Sequence, residues 1–189
     1  MGMYQKLREL WKKPKAGLGD LWQKRLMQFR REPATLRIDK PTRLDKARAL
    51  GYKAKQGIIV VRQRVARGSH YKPKRYGGRR SKRATGRVTL SKNYKMIAEE
   101  RAGKKYLNCE VLNSYEVAKD GKNYWFEVIL VDKKHPAIVK DKDLGWISKR
   151  QHTRRVHRGK TSAGRKVRGL RHKGKGAEKL RPSKRAKSR

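Results

Sequence analysis

The distribution of charge along the chain constrains its fold more than any other feature. Residues 96–147 carry nine bases and nine acids, whereas the rest is strongly basic and gives the 189-residue chain a net charge of +41. Residues 62–95 contain 13 bases and no acid, and residues 148–189 contain 18 bases and one acid. Segments with so many like charges repel themselves and bury little apolar surface. The sequence therefore predicts a small folded body around the neutral block, 96–147, with basic segments that need a polyanionic partner.

Arginine and lysine are divided unevenly between these segments. Of 26 arginines only Arg101 lies in the neutral block, where the other eight bases are lysines. The planar guanidinium grips phosphate with two hydrogen bonds and stacks on bases, whereas the lysine ammonium is a strongly hydrated point charge. This division indicates that the basic segments contact a nucleic acid.

The order of apolar patterns predicts an α+β fold. Two amphipathic helices are expected in the first 34 residues, and the following elements read β-α-β-α-β-β through residue 147. Asp120-Gly121 is typical of a tight turn and predicts that the last two strands form a hairpin. We therefore expect a small body with an antiparallel-rich, four-stranded sheet and helices on one face.

The same pattern divides the chain into three parts. We expect a basic N-terminal helical segment at 1–34, an α+β body at 35–147 interrupted by a basic loop at 68–87, and a basic C-terminal extension at 148–189. The C-terminal extension contains only four large apolar residues. We therefore expect it to be disordered alone and to become ordered on a partner.

Individual residues predict where helices begin and end. Pro14 and Gly17 are expected to end the first helix, and Asp20 to cap the second. Ser91 is the expected cap of the helix that follows the basic loop.

Aromatic residues fall into two groups. Trp125, Phe126 and Trp146 lie in the neutral block, so we expect them to be core residues rather than platforms for base stacking. Trp11 and Trp22 lie in the basic N-terminal segment, where packing and contact with a partner are equally plausible.

The basic loop and the C-terminal extension combine cations with glycines and flat side chains. Structured RNA requires cations for phosphates, flat groups for unpaired bases, and glycines where backbones approach closely. The alternatives are a solvated loop without fixed contacts and a tail that acts only as a counterion. The candidate RNA-binding residues before residue 90 are Lys12, Lys13, Lys15, Arg67, His70, Tyr71, Lys72, Lys74, Arg75, Tyr76, Arg79, Arg80, Lys82 and Arg83. Those in the C-terminal extension are Arg154, Arg155, Arg158, Lys160, Arg165, Lys166, Arg168, Arg171, His172, Lys173 and Lys175.

Other kinds of site are disfavoured. A lone cysteine, Cys109, cannot form an internal disulfide, and His152 and His157 have no cysteine or carboxylate nearby to complete a zinc site. Gly159-Lys160-Thr161 lacks the earlier glycine of a phosphate-binding loop. We therefore expect that the chain is not an enzyme and that it binds no metal, cofactor or small-molecule substrate. No apolar run is long enough to span a membrane, so a cytoplasmic protein is expected.

Several stretches of the chain together form a specific pattern: residues 31–33, 37–48, 50–57, 98–102, 110–115, 125–132, 161–165 and 174–176. These stretches resemble one known family, the archaeal and eukaryotic large-subunit ribosomal protein fifteen, which is distinct from the bacterial protein of the same number. The brevity of the chain and its plain Arg/Lys tail are typical of the archaeal members.

The resemblance implies a function and a fold. It implies a β-α-β-α-β-β body with long extensions embedded in large-subunit ribosomal RNA, and neighbouring ribosomal proteins as partners. It also implies a structural role in translation, within cytoplasmic ribosomes, with no catalytic activity.

Two other classes of protein remain as alternatives. One is a DNA-compacting chromatin protein, although such tails are rich in lysine, alanine and proline, whereas 25 of the 47 bases outside the neutral block are arginines. The other is a membrane-surface protein, which needs a long basic helix with an apolar stripe. The glycines of the C-terminal extension disfavour such a helix.

Overall fold

A four-stranded antiparallel sheet forms the centre of the molecule. The computed structural model describes residues 2–68, 70–71, 77, 87–88 and 90–180. Within them the strands are β1 (Thr35–Ile38), β2 (Ile58–Ala66), β3 (His70–Tyr71), β4 (Arg87–Val88), β5 (Cys109–Lys119) and β6 (Asn123–Asp132). The sheet has the order β1-β2-β6-β5, and a separate ladder pairs β3 with β4.

Short helices surround this sheet and confirm the predicted α+β class. The 3₁₀ turns are Gly145–Ser148, Arg150–His152 and Glu178–Leu180. The α-helices are α1 (Met3–Leu10), α2 (Pro14–Leu18), α3 (Asp20–Arg31), α4 (Leu44–Ala49), α5 (Tyr94–Lys105), α6 (Pro136–Val139) and α7 (Ser162–Val167). None of the helices in the described part is long and apolar enough to cross a bilayer.

Helices cover both faces of the sheet, so the expectation of one covered face was wrong. On one face Trp125 and Ile129 of β6 pack against α3, α4 and α6. On the other face Val128 and Leu130 pack against α5 and against Val156 of the C-terminal extension. All seven residues from Trp125 to Val131 are buried, as expected for a central strand covered on both faces.

Several helix boundaries differ from the prediction. Pro14 begins α2 instead of ending α1, since the first helical position has no hydrogen bond for proline to lose. A Cβ at Gly17 would lie 2.5 Å from the Leu10 carbonyl oxygen, so Gly17 allows α1 and α2 to pack.

The helix caps also differ from those predicted. Asn93, not Ser91, caps α5, accepting a 2.8 Å hydrogen bond from the Met96 amide. Gly19 precedes α3, and Asp20 is its first residue.

The hairpin and the core aromatics were predicted correctly. β5 and β6 pair through the turn at Asp120, whose carboxylate accepts hydrogen bonds from the amides of Lys122 and Asn123 at 2.8 and 2.6 Å. Trp125 and Phe126 are buried, and Trp146 is half-buried against the same core.

The ends of the predicted basic loop pair as β3 and β4, and most of its residues lie outside the described part.

Candidate nucleic-acid interface

The C-terminal extension packs on the body through the buried carboxylate of Glu99. Glu99 lies on α5 and accepts hydrogen bonds from the hydroxyl of Ser114 on β5 and from Thr161 Oγ1, the latter at 2.6 Å. The Thr161 hydroxyl also accepts the Gly164 amide at 3.2 Å and so caps α7. All three side chains are inaccessible to solvent. Burial raises the pKa of Glu99, and the two hydroxyl bonds oppose that rise.

A second attachment uses Glu110 and Arg155. One Glu110 oxygen accepts the Arg154 amide at 2.8 Å and the other accepts the Arg155 amide at 3.4 Å. The Arg155 guanidinium donates to the carbonyl oxygens of Val111 and Leu112 at 2.6 and 3.0 Å. It also lies 5.0 Å from the ring centroid of Trp146. These bonds join the C-terminal extension to β5.

The position of Arg155 therefore does not fit its predicted role in RNA binding. Only 9% of the residue is exposed, and its guanidinium is occupied by backbone carbonyls. We assign it to holding the C-terminal extension on the sheet rather than to binding RNA. The prediction that this extension is disordered alone is also corrected for residues 148–180, which the structure describes as an ordered segment packed on the body. Its order comes from polar groups of the body together with buried Val156 and Leu170.

The other cations predicted in the C-terminal extension lie on its surface. Within the described residues none of them is within salt-bridge distance of a carboxylate. His172 is exposed beside them. The exposed cations are Arg154, Arg158, Lys160, Arg165, Lys166, Arg168, Arg171, Lys173 and Lys175. An ordered scaffold thus presents a series of cations without intramolecular counterions.

A smaller basic surface lies where α1 meets α2. Lys12, Lys13 and Lys15 are exposed there, beside the edge-to-face pair of Trp11 and Trp22, whose ring centroids are 6.1 Å apart. Both tryptophans are buried, so of the two roles considered for them, packing and contact with a partner, the structure supports packing.

Only part of the predicted basic-loop site lies in the described structure. Arg67 is exposed, donates to the Asp120 carbonyl and lies 5.0 Å from the Tyr124 ring centroid. His70 and Tyr71 form β3, opposite Val88 and Arg87. The remaining predicted residues lie outside the described part: Lys72, Lys74, Arg75, Tyr76, Arg79, Arg80, Lys82 and Arg83.

Buried acids that organise the basic segments were not predicted from the sequence. Besides Glu99 and Glu110, Glu127 of β6 accepts the Tyr115 hydroxyl at 2.5 Å and the Thr42 amide at 3.1 Å. Its other oxygen lies 3.7 Å from the Arg62 guanidinium. Burial raises the pKa of Glu127, and these bonds oppose the rise. An acid inside the apolar run of β6 was the signal that could have revealed this role.

The described residues contain no group of three metal-ligating side chains.

A family model described as Ribosomal L15, of the archaeal and eukaryotic type, matches residues 2–187 of the chain. The match includes the sheet, both attachment points of the C-terminal extension and its exposed cations. Members of this family are structural proteins of the large ribosomal subunit. The chain therefore belongs to the archaeal and eukaryotic Ribosomal L15 family.

Proposed function

We propose that this chain binds and stabilises large-subunit ribosomal RNA through its exposed arginine and lysine side chains. The observation that carries the proposal is the set of exposed cations on the ordered C-terminal extension, which have no carboxylate partner within the described residues. Like charges held on a fixed scaffold repel one another, and RNA phosphates relieve that repulsion and release counterions.

The arrangement of the acids supports an outward-facing cationic surface. Glu99, Glu110 and Glu127 are buried and bind groups of the chain itself. Asp120 and Asp141 form ion pairs with Arg30 and Lys55 at 3.0 and 2.6 Å. These acids stabilise the fold and do not neutralise the exposed arginines of the C-terminal extension.

The proposed contacts extend over the three parts of the chain. The segment at 1–34 and the C-terminal extension would bind separate RNA helices, while the body at 35–147 fixes the spacing between them. Neighbouring large-subunit proteins would be further partners, and the role would be structural, without cofactor, in cytoplasmic ribosomes. Apart from Arg155, the proposed RNA-binding residues are those predicted from the sequence: Lys12, Lys13, Lys15, Arg67, His70, Tyr71, Lys72, Lys74, Arg75, Tyr76, Arg79, Arg80, Lys82, Arg83, Arg154, Arg158, Lys160, Arg165, Lys166, Arg168, Arg171, His172, Lys173 and Lys175.

The salt dependence of RNA binding tests this proposal. The full-length chain is titrated with a transcript of large-subunit ribosomal RNA at several salt concentrations. Each neutralised phosphate contributes about 0.7–0.9 to the slope of log K against log salt, so we expect a slope of about 6 or more. A slope equivalent to about two or three contacts would contradict the proposal. Equal affinity for duplex DNA at matched salt would favour the chromatin alternative instead.

A further inference from the structure

A groove between the body and the C-terminal extension gathers five cations from α4, α5, α7 and the residues beside them. Its volume is about 440 Å³, which falls within the range of roughly 300–1,000 Å³ typical of small-ligand sites. Arg43 immediately precedes α4, Lys46 lies in α4, Lys95 in α5, Lys166 in α7 and Arg171 in the turn after α7. Three of these side chains, Arg43, Lys46 and Lys95, were not among the residues predicted to bind RNA.

Four of the five cations in this groove form no ion pair within the described structure: Lys46, Lys95, Lys166 and Arg171. Arg43 lies 3.8 Å from the Asp45 carboxylate, and the exposed Glu116 also lines the groove. Burial lowers the pKa of half-buried Lys95, and the charges of Arg171, Lys46 and Lys166 lower it further, although Glu99 opposes the shift. The cations outnumber the acids here, and this excess of positive charge favours binding of an anion at this position.

Aromatic rings line the same groove beside the cations. Tyr124 stacks on Tyr94 with centroids 5.0 Å apart and on Phe126 with centroids 5.9 Å apart. Tyr94 and Tyr124 are half-buried, and the Arg67 guanidinium lies 5.0 Å from the Tyr124 ring centroid. Flat rings next to cations are the combination that proteins use to bind unpaired bases together with their phosphates.

We propose that this groove binds one unpaired nucleotide of RNA. The base contacts the rings of Tyr94 and Tyr124, and the flanking phosphates contact Lys95, Lys166 and Arg171. The inference rests on the proposed RNA-binding function and deepens it, because it assigns one site to an unpaired nucleotide rather than to helical backbone.

The groove is complete only when the C-terminal extension is docked on the body. Lys166 and Arg171 belong to that extension, which Thr161 holds on Glu99. Arg171 also donates to the hydroxyl of Ser162, which fixes the turn after α7 against the helix start. The polar attachment described above therefore also assembles the nucleotide site.

Two RNA probes and matched variants test the proposal. The full-length chain is titrated with a short RNA duplex that contains one unpaired adenosine, and with the same duplex lacking it. We expect the wild type to prefer the duplex with the unpaired adenosine by about tenfold, the scale of one base stacked on an aromatic ring. Lys95→Gln and Lys166→Gln should remove most of that preference. Lys104→Gln, an exposed lysine of the same helix as Lys95, should retain it.

The possible outcomes separate this inference from the proposed function. Loss of the preference in Lys95→Gln and Lys166→Gln, with Lys104→Gln unaffected, supports the groove as a nucleotide site. A wild type that binds both duplexes equally, with a steep salt dependence, overturns the nucleotide site and leaves the RNA-binding function intact. A loss of affinity that is equal for both duplexes also overturns it, because it shows ordinary phosphate contacts. Failure to bind either duplex or ribosomal RNA overturns both.

Discussion

The sheet and the C-terminal extension are both ordered, but by different interactions. In β6 seven consecutive residues are buried between two layers of helices. The C-terminal extension buries few apolar side chains, Val156 and Leu170 being the largest, and depends on hydrogen bonds to Glu99, Glu110 and the carbonyls of β5. A strongly basic segment can therefore be ordered by a few buried polar groups of a neighbouring body. Its cations then remain available on the surface.

The largest expected effect is on the sheet. Ile129→Ala removes a fully buried side chain from β6 and should lower the free energy of unfolding by about 2–5 kcal/mol. Leu170→Ala, the counterpart in the C-terminal extension, should release that extension and leave the sheet intact. Denaturant unfolding combined with hydrogen exchange measures both. Equal loss of protection throughout the molecule in the two variants would contradict the comparison.

Replacing Arg155 should affect stability, whereas replacing Arg158 should affect RNA binding. Arg155→Gln removes two hydrogen bonds to β5 carbonyls, each worth about 1.5 kcal/mol when the donor is charged, so we expect a loss of about 3 kcal/mol. Arg158→Gln changes an exposed side chain and should leave stability unchanged, while reducing the slope of log K against log salt by about 1. Thermal unfolding and RNA titration of both variants measure this. The reverse pattern would show that the assignment of Arg155 is wrong.

Thr161→Val tests the polar attachment with little change in shape. The variant removes one of the two hydroxyl bonds to the buried Glu99 carboxylate, together with the bond that the Thr161 hydroxyl accepts from the Gly164 amide. The loss should be about 1–2 kcal/mol. We expect faster hydrogen exchange at the amides of Arg165 and Arg168, which hydrogen bond within α7, and unchanged exchange in β6. Thr153→Val, a half-buried threonine on the same extension, is the control. Identical exchange in the two variants would exclude a role for the Thr161 hydroxyl.

The smallest expected effect is a pH dependence from Glu99. Because burial raises the pKa of Glu99 above its ordinary value of 4.5, the folded state binds a proton more tightly than the unfolded state. The wild type should therefore gain stability relative to Glu99→Gln as the pH falls from neutral towards 4.5. Denaturant unfolding of both proteins across that range measures the difference. A wild type that loses stability relative to Glu99→Gln on acidification would contradict the assignment.

Much of the body's structure could be predicted from the sequence, but the attachment of the C-terminal extension could not. The α+β order and the hairpin at Asp120 follow from local patterns, and residues 125–131 are apolar apart from Glu127, as expected for a strand. The attachment depends on contacts between distant residues, such as Glu99 and Thr161, which are 62 positions apart. No local pattern reveals such a pair.

At the candidate interface, too, the sequence does not predict which arginines are buried. Arg154, Arg155 and Arg158 have nearly the same sequence surroundings, yet only Arg155 is buried. What distinguishes them is the position of β5 carbonyl oxygens in the folded body, which composition and charge do not encode. Arg43, Lys46 and Lys95 of the proposed nucleotide groove were missed for a similar reason, since they are brought beside Lys166 and Arg171 only through tertiary packing.

The most direct test is whether the chain remains in the large ribosomal subunit at high salt. A lysate of cells that produce the full-length chain is fractionated on sucrose gradients at moderate and then high salt, and the chain is detected in each fraction. We predict that it migrates with the large subunit and remains there after the high-salt wash, because an ordered extension embedded in RNA dissociates slowly. A chain that runs free of the subunit, or that migrates with chromosomal DNA, would contradict this account.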